Sequence, residues 1–276
     1  MKTSRQLNDL IKNAANKSGI NAQILQKRYF MERFIERVSL SDYRGKFILK
    51  GGILISALAG IGARSTMDID ITVRNMPLNE NLIKAAVKEI IAIDPDDSVN
   101  FSFRKIESIR EEADYDCYRI SLDVAFDKVR DNIRIDITAG DVITPQEIKF
   151  GYETMLDKKR IELYSYNIET VMAEKIETIL SRGVLNTRMR DFYDCYLLDS
   201  LHGDNVDKAV FRAALKATVS KRKSEIIFVK APAIIEELKA SAELRKLWDA
   251  YTKTFPYARE VEFADTIKAV EKYMAL

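Results

Sequence analysis

With 276 residues, 47% of them hydrophobic, the chain is long enough for one large domain or two modest ones, and for a sizeable core. Its 44 basic and 42 acidic residues leave a net charge of +2, so overall charge selects no polyanionic partner and local clusters must decide. Two cysteines, Cys117 and Cys195, and one histidine, His202, argue against a His/Cys zinc site, a disulfide framework and Ser-His-Asp chemistry, for which no nucleophile motif is present.

The opening MKTSRQLNDLIKNAANK has no apolar signal region, and the longest apolar run, around GGILISALAGIGA, is shorter than a membrane span. The expectation is a soluble cytoplasmic protein with no membrane partner. Along residues 22–38, Ile24, Leu25, Tyr29, Phe30, Phe34, Ile35 and Val38 recur at helical spacing. A short apolar piece, Phe47 to Leu49, runs into Lys50-Gly51-Gly52, which closes a strand and opens a helix over 53–60. Met67 to Val73 alternates apolar and polar residues and reads as a half-buried strand. A helix over 79–92 ends at Asp94-Pro95-Asp96-Asp97. Three strand-like runs follow, VNFSFRKI, YRISLDVAF and NIRIDITA. After Asp141 the β character fades, and from Ile168 the pattern is helical, with breaks near Gly183 and Gly203. Strands first and helices later predict an α+β chain, with a boundary inside 150–167 and domains of 1–155 and 156–276.

Five stretches carry possible chemistry. Gly51-Gly52 allows close backbone approach at a helix start, which suits a phosphate, although a glycine pair also makes an ordinary turn. Asp68 and Asp70 share one strand face, where their repulsion calls for a cation such as Mg²⁺, or else marks a solvated edge. Asp136 alternates with Ile135 and Ile137 and is the preferred third carboxylate, as metal ligand or base; Asp123 is its rival, and the sequence leaves the choice open. In AEKIETILSR, Met172, Ile176, Ile179 and Leu180 make a core stripe, while Lys175, Thr178 and Arg182 share another face that either holds polyphosphate oxygens or is simply solvated. In TRMRDFYDCYLL, Asp191 and Asp194 lie one turn apart and can anchor Lys175, take a proton, or pair with Arg188 and Arg190.

In this order, Gly51-Gly52, Arg64-x-Thr66-x-Asp68-Ile69-Asp70, Asp136, Glu174-Lys175 and Arg190-Asp191-Phe192-Tyr193-Asp194 resemble the AbiEii group of bacterial toxins, within the DNA polymerase β-type nucleotidyltransferase superfamily. The resemblance covers about residues 47 to 199; Gly51-Gly52 stands where many members have Gly-Ser. It implies a two-lobed protein: a nucleotidyltransferase-fold mixed sheet with flanking helices, and a helical C-terminal lobe. It implies the bacteriostatic toxin of a type IV toxin–antitoxin pair in abortive phage infection, with a DNA-binding antitoxin that acts without stable direct contact. The related MenT-like toxins add nucleotides to the 3′ end of tRNA, and AbiEii is associated with GTP. The expected activity is therefore nucleotide transfer from a nucleoside triphosphate, GTP favoured, to RNA such as tRNA. In that scheme Asp68, Asp70 and Asp136 serve Mg²⁺ (or Mn²⁺). Gly51, Gly52, Arg64, Thr66, Lys175 and Thr178 hold the triphosphate, and Asp191 and Asp194 orient Lys175 or the acceptor. Replacing Asp68, Lys175 or Asp191 is expected to abolish growth arrest in a folded protein. Basic residues Arg182, Arg188, Arg190 and the run Lys221-Arg222-Lys223 are candidate RNA contacts. Alternatives are an aminoglycoside-type transferase acting on a small molecule, a non-enzymatic nucleotide-binding module, and protein nucleotidylation.

Overall fold

Ile69, Ile71, Ile133, Ile135 and Ile137 alternate with polar residues and build one buried sheet face, which Leu49 joins opposite Ile71. A computed structural model describes residues 2–110 and 116–276. By contacts the chain divides into two compact units, Met1–Gly140 with Glu147–Ser165, and Asp141–Gln146 with Tyr166–Leu276.

The first unit is a seven-stranded mixed sheet with helices. Its strands are β1 (Phe47–Lys50), β2 (Asp68–Val73), β3 (Asn100–Arg110), β4 (Asp116–Phe126), β5 (Val129–Ala139), β6 (Ile148–Glu153) and β7 (Arg160–Ser165). They lie in the order β3-β4-β5-β2-β1-β7-β6. The β2/β5 and β1/β7 pairs are parallel and the others antiparallel. The hairpin β6–β7 occupies a stretch in which the sequence shows fading β character. Its signal is diluted because one face is charged: Ile161 and Leu163 are buried while Arg160 and Glu162 are exposed.

Four helices complete this unit: α1 (Ser4–Ser18), α2 (Ala22–Leu40), α3 (Gly51–Ala59) and α4 (Glu80–Ala92). Asn21 caps α2 and Asn79 caps α4 through their side-chain oxygens. The apolar stripe of α2 is buried, with Phe30 and Phe34 fully so, each contributing about 1.5–3 kcal/mol. Its other face is buried too, which the apolar spacing does not announce. Arg28, Glu32, Arg33, Glu36 and Arg37 all lie inside and are paired. Glu32 accepts from Arg28 Nε at 3.0 Å, Tyr152 Oη at 3.2 Å and the Met155 amide at 2.9 Å, so it ties α2 to β6 and the turn after it. Arg37 makes two bonds to Asp97, at 2.7 and 2.9 Å.

The second unit is helical: α5 (Ile168–Arg182), α6 (Met189–His202), α7 (Lys208–Arg222), α8 (Ile226–Ala240), α9 (Ala242–Thr254) and α10 (Phe263–Met274). The expected breaks fall at Gly183, where φ is positive (52°), and at Gly203. Asn167, Asp207 and Ser241 cap α5, α7 and α9. Met172, Ile176, Ile179 and Leu180 are buried, and α5 packs on α6, α7 and α8. Among the described residues, no helix is long and apolar enough to cross a membrane.

Candidate active site

Asp68 and Asp70 stand on the polar face of β2, whose other face buries Ile69 and Ile71. The strand rise separates them by about 6–7 Å. In the parallel neighbour β5, Arg134 lies opposite Asp68 and Asp136 opposite Asp70. In β4, Arg119 lies opposite Asp136. Of the two rivals for third carboxylate, Asp136 is therefore the one beside Asp70. Asp123 sits a strand further out, opposite Asn132, and meets Arg104 at 3.4 Å.

The glycine pair explains how Asp70 is held. Gly51 has φ 62°, and a Cβ there would lie 2.2 Å from Asp70 Oδ2. The Gly52 amide donates to that same oxygen at 3.0 Å. The carboxylate thus rests on the N-terminus of α3, where unpaired N–H groups and the helix dipole favour an anion. A Cβ on Gly52 would come within 3.0 Å of Thr66 Oγ1 and 3.2 Å of Arg64 Nη2. Arg64 is buried and donates to the Ser65 carbonyl, while Thr66 Oγ1 donates to the Asp68 carbonyl at 3.4 Å. We expect Gly51→Ala to displace Asp70 as well as strain the backbone. It should cost at least about 1 kcal/mol in urea unfolding and lower nucleotide transfer more than its stability loss explains.

Two arginines that no sequence motif announces partly offset these carboxylates. Arg119 grips both Asp136 oxygens, at 2.8 Å from Nε and 2.6 Å from Nη2. That hydrogen bonding raises the Arg119 pKa above its ordinary value, against the effect of burial. Arg134 Nε faces Asp68 Oδ1 at 2.8 Å. Among the described residues, no group of three His, Cys, Asp or Glu side chains is arranged to hold a metal ion. The sequence signal is present in the alternation of Arg134 and Asp136 with Ile133, Ile135 and Ile137, and of Arg119 with Ile120, but which carboxylate each arginine meets depends on strand register.

The second unit holds the other motif residues. Lys175 on α5 is largely buried and lies 2.6 Å from Asp191 and 3.1 Å from Asp194 on α6. Burial works against its ammonium, but the charges of Asp191 and Asp194 outweigh it and hold the Lys175 pKa above the usual lysine value. Both aspartates are buried, and Arg188 Nε reaches Asp191 at 2.8 Å. Thr178 Oγ1 donates to the Glu174 carbonyl at 2.8 Å and accepts from Arg222 at 2.9 Å. Arg222, from the basic run, turns inward onto Glu177, which also accepts from Ser181 and Ser224 hydroxyls at 2.7 and 2.8 Å. Arg190 lies over the Phe255 ring, 4.8 Å from its centroid.

The sequence model of the family described as the nucleotidyl transferase AbiEii toxin of type IV toxin–antitoxin systems matches residues 33–274. The chain belongs to that family. This AbiEii-family nucleotidyltransferase is matched from inside α2 to the end of α10, a span that takes in every motif residue above. The family implies a nucleoside triphosphate substrate and an antitoxin partner. In fold the toxin is similar to JHP933 from Helicobacter pylori, with 13% identity, a TM-score of 0.51, and 93% of this chain and 92% of that chain covered. It is also similar to a candidate nucleotidyltransferase from H. pylori, with 15% identity, a TM-score of 0.50, and 93% and 95% covered. No curated protein sequence matches the chain.

Proposed function

We propose that this AbiEii toxin arrests growth by metal-dependent transfer of a nucleotide, GTP favoured, onto an RNA acceptor such as tRNA. The observation that carries the reading is the Asp68–Asp70 pair on one face of β2, with Asp70 held by the glycine start of α3 and Asp136 alongside. The oxygen donors of Asp68 and Asp70 fit a hard divalent cation, Mg²⁺ or Mn²⁺, which needs only one or two carboxylates when substrate phosphates supply the rest. When bound, such an ion neutralises developing phosphate charge and lowers the pKa of the attacking hydroxyl.

In the reaction, an acceptor hydroxyl oxygen bonds to the α-phosphorus, the bond from that phosphorus to the β-bridging oxygen breaks, and pyrophosphate leaves. The hydroxyl proton passes to a base, for which Asp136 is the candidate beside Asp70. Asp136 completes the acidic cluster as a further metal ligand only if it sheds Arg119. Gly51, Gly52, Arg64 and Thr66 shape the approach to Asp70 and offer backbone and side-chain donors to the triphosphate. In the helical unit, Lys175, with Thr178 a turn away, is the candidate for neutralising β- and γ-phosphate charge, and Asp191 and Asp194 hold it in place. The preference for GTP, the tRNA acceptor, the abortive-infection setting, bacteriostasis and neutralisation without stable antitoxin contact rest on the family resemblance. Lys221 and Lys223 remain candidate RNA contacts beside the inward-turned Arg222.

The test is incubation of pure toxin with each labelled triphosphate and total RNA, with Asp68→Ala as control. The expected result is label on RNA, strongest from GTP, and none with Asp68→Ala. Label on a small molecule instead would select the aminoglycoside-type reaction, and label on protein would select nucleotidylation. Growth arrest that survives loss of Asp68 would select a binding module.

A further inference from the structure

We propose that Arg134 is the resident counter-ion of Asp68, which a divalent cation displaces, while Arg119 stays on Asp136 throughout the exchange. The inference rests on the metal-dependent reading above and adds a positioning device to it.

Three carboxylates, Asp68, Asp70 and Asp136, share one patch of sheet through the β2/β5 register. Without counter-charge they would repel one another across about 5 Å between paired strands. The sheet supplies that charge itself, since Arg134 and Arg119 occupy neighbouring positions on the same polar faces. The two pairs differ in kind. Arg119 meets Asp136 with two parallel N–H bonds, and Asp136 is 15% exposed. Fork-on-fork contacts of this sort are strong and geometrically demanding. Arg134 meets Asp68 through Nε alone, without hydrogen-bond geometry, and the two side chains are 47% and 32% exposed. A single ion contact without hydrogen-bond geometry, between partly exposed side chains, is weak. An incoming cation therefore finds one carboxylate that is readily released and one that is not.

The adjoining Asp70 carboxylate is already turned to the Gly52 amide through Oδ2. A cation shared between Asp68 and Asp70 would carry its own positive charge next to the Arg134 guanidinium. Repulsion and competition for Asp68 both favour departure of Arg134. Arg119 lies one strand further from β2 and keeps Asp136 oriented. Before the metal arrives, two guanidinium groups and the N-terminus of α3 offset most of the charge of the three carboxylates, which eases the repulsion on β2.

Arginine side-chain Nε–Hε signals of ¹⁵N-labelled toxin, followed during titration with Mg²⁺ alone, test this directly. Arg134→Lys and Arg119→Lys variants assign the two signals. The Arg134 signal should move saturably and the Arg119 signal should stay. In parallel, free Mn²⁺ measured by electron paramagnetic resonance gives the metal affinity without nucleotide or turnover. Arg134→Gln should bind Mn²⁺ about three- to tenfold more tightly than the natural chain. Arg104→Gln, which removes a charge paired with Asp123, should change it less than about twofold. An Arg134 signal that stays put while Mn²⁺ binds, or an Arg134→Gln protein that binds no more tightly, overturns the exchange and leaves the metal reading standing. A natural chain that binds no Mn²⁺, or binds it equally after Asp68→Ala, overturns the metal reading and the exchange with it.

Discussion

Asp68→Ala should lower nucleotide transfer by at least about a thousandfold while leaving the melting temperature nearly unchanged. Nucleotidyl transfer makes few covalent demands on a protein; positioning and electrostatic stabilisation of the phosphates supply most of the rate. Asp68 is half of the carboxylate pair on β2, so on the proposed metal-dependent reading its removal takes away one of the two carboxylates assigned to the cation. The cost to the fold is small for a physical reason. Asp68 is partly exposed and pairs with the half-exposed Arg134, and a pair of that type is worth about 0–1 kcal/mol. Asp70→Ala should be equally inactive but less stable, because it also leaves the Gly52 amide without its carboxylate. Transfer assays paired with thermal melts read both quantities on one sample. A folded Asp68→Ala protein that still arrests growth would remove the metal assignment.

Lys175→Ala should lose activity and stability together. Asp191 and Asp194 are buried, and Lys175 lies between them at 2.6 and 3.1 Å. Taking one partner from a buried ionic cluster leaves uncompensated charge and costs about 3–5 kcal/mol. The sequence alone suggested that Lys175→Ala or Asp191→Ala would spare the fold. Burial of the cluster changes that expectation, so loss of growth arrest in either variant reports folding as much as chemistry. A charge-matched variant separates the two. Lys175→Met combined with Asp191→Asn removes one charge of each sign and should recover most of the stability measured by urea unfolding. It should remain inactive if the ammonium serves the phosphates. Recovery of growth arrest along with stability would mean that Lys175 only holds the helical unit together.

The inverse case is instructive for the basic run. Lys221-Arg222-Lys223 reads as a surface patch, yet Arg222 reaches inward to Glu177 and Thr178. An arginine stem is long and apolar enough to cross a helix surface and bury its head on a carboxylate. Spacing along a helix does not reveal this, because the partner lies on another helix.

What the sequence determined by itself is local. The alternation in Asp68–Val73 and Val129–Ala139, the turn from Lys50 into Gly51-Gly52, the core stripe of α5 and the helix breaks at Gly183 and Gly203 all follow from periods of two or 3.6 residues and from glycine's freedom. Those signals were enough to put Asp68, Asp70 and Asp136 on polar faces and to select an α+β chain. Tertiary structure decided the rest. It set Asp136 rather than Asp123 beside Asp70, brought Arg119 and Arg134 onto the carboxylates, buried the charged face of α2 against β6 and its turn, and added the β6–β7 hairpin beside β1. The reason is that strand order and register join segments dozens of residues apart. Shifting a strand by one residue would turn every one of these charges to the opposite face without altering its local pattern.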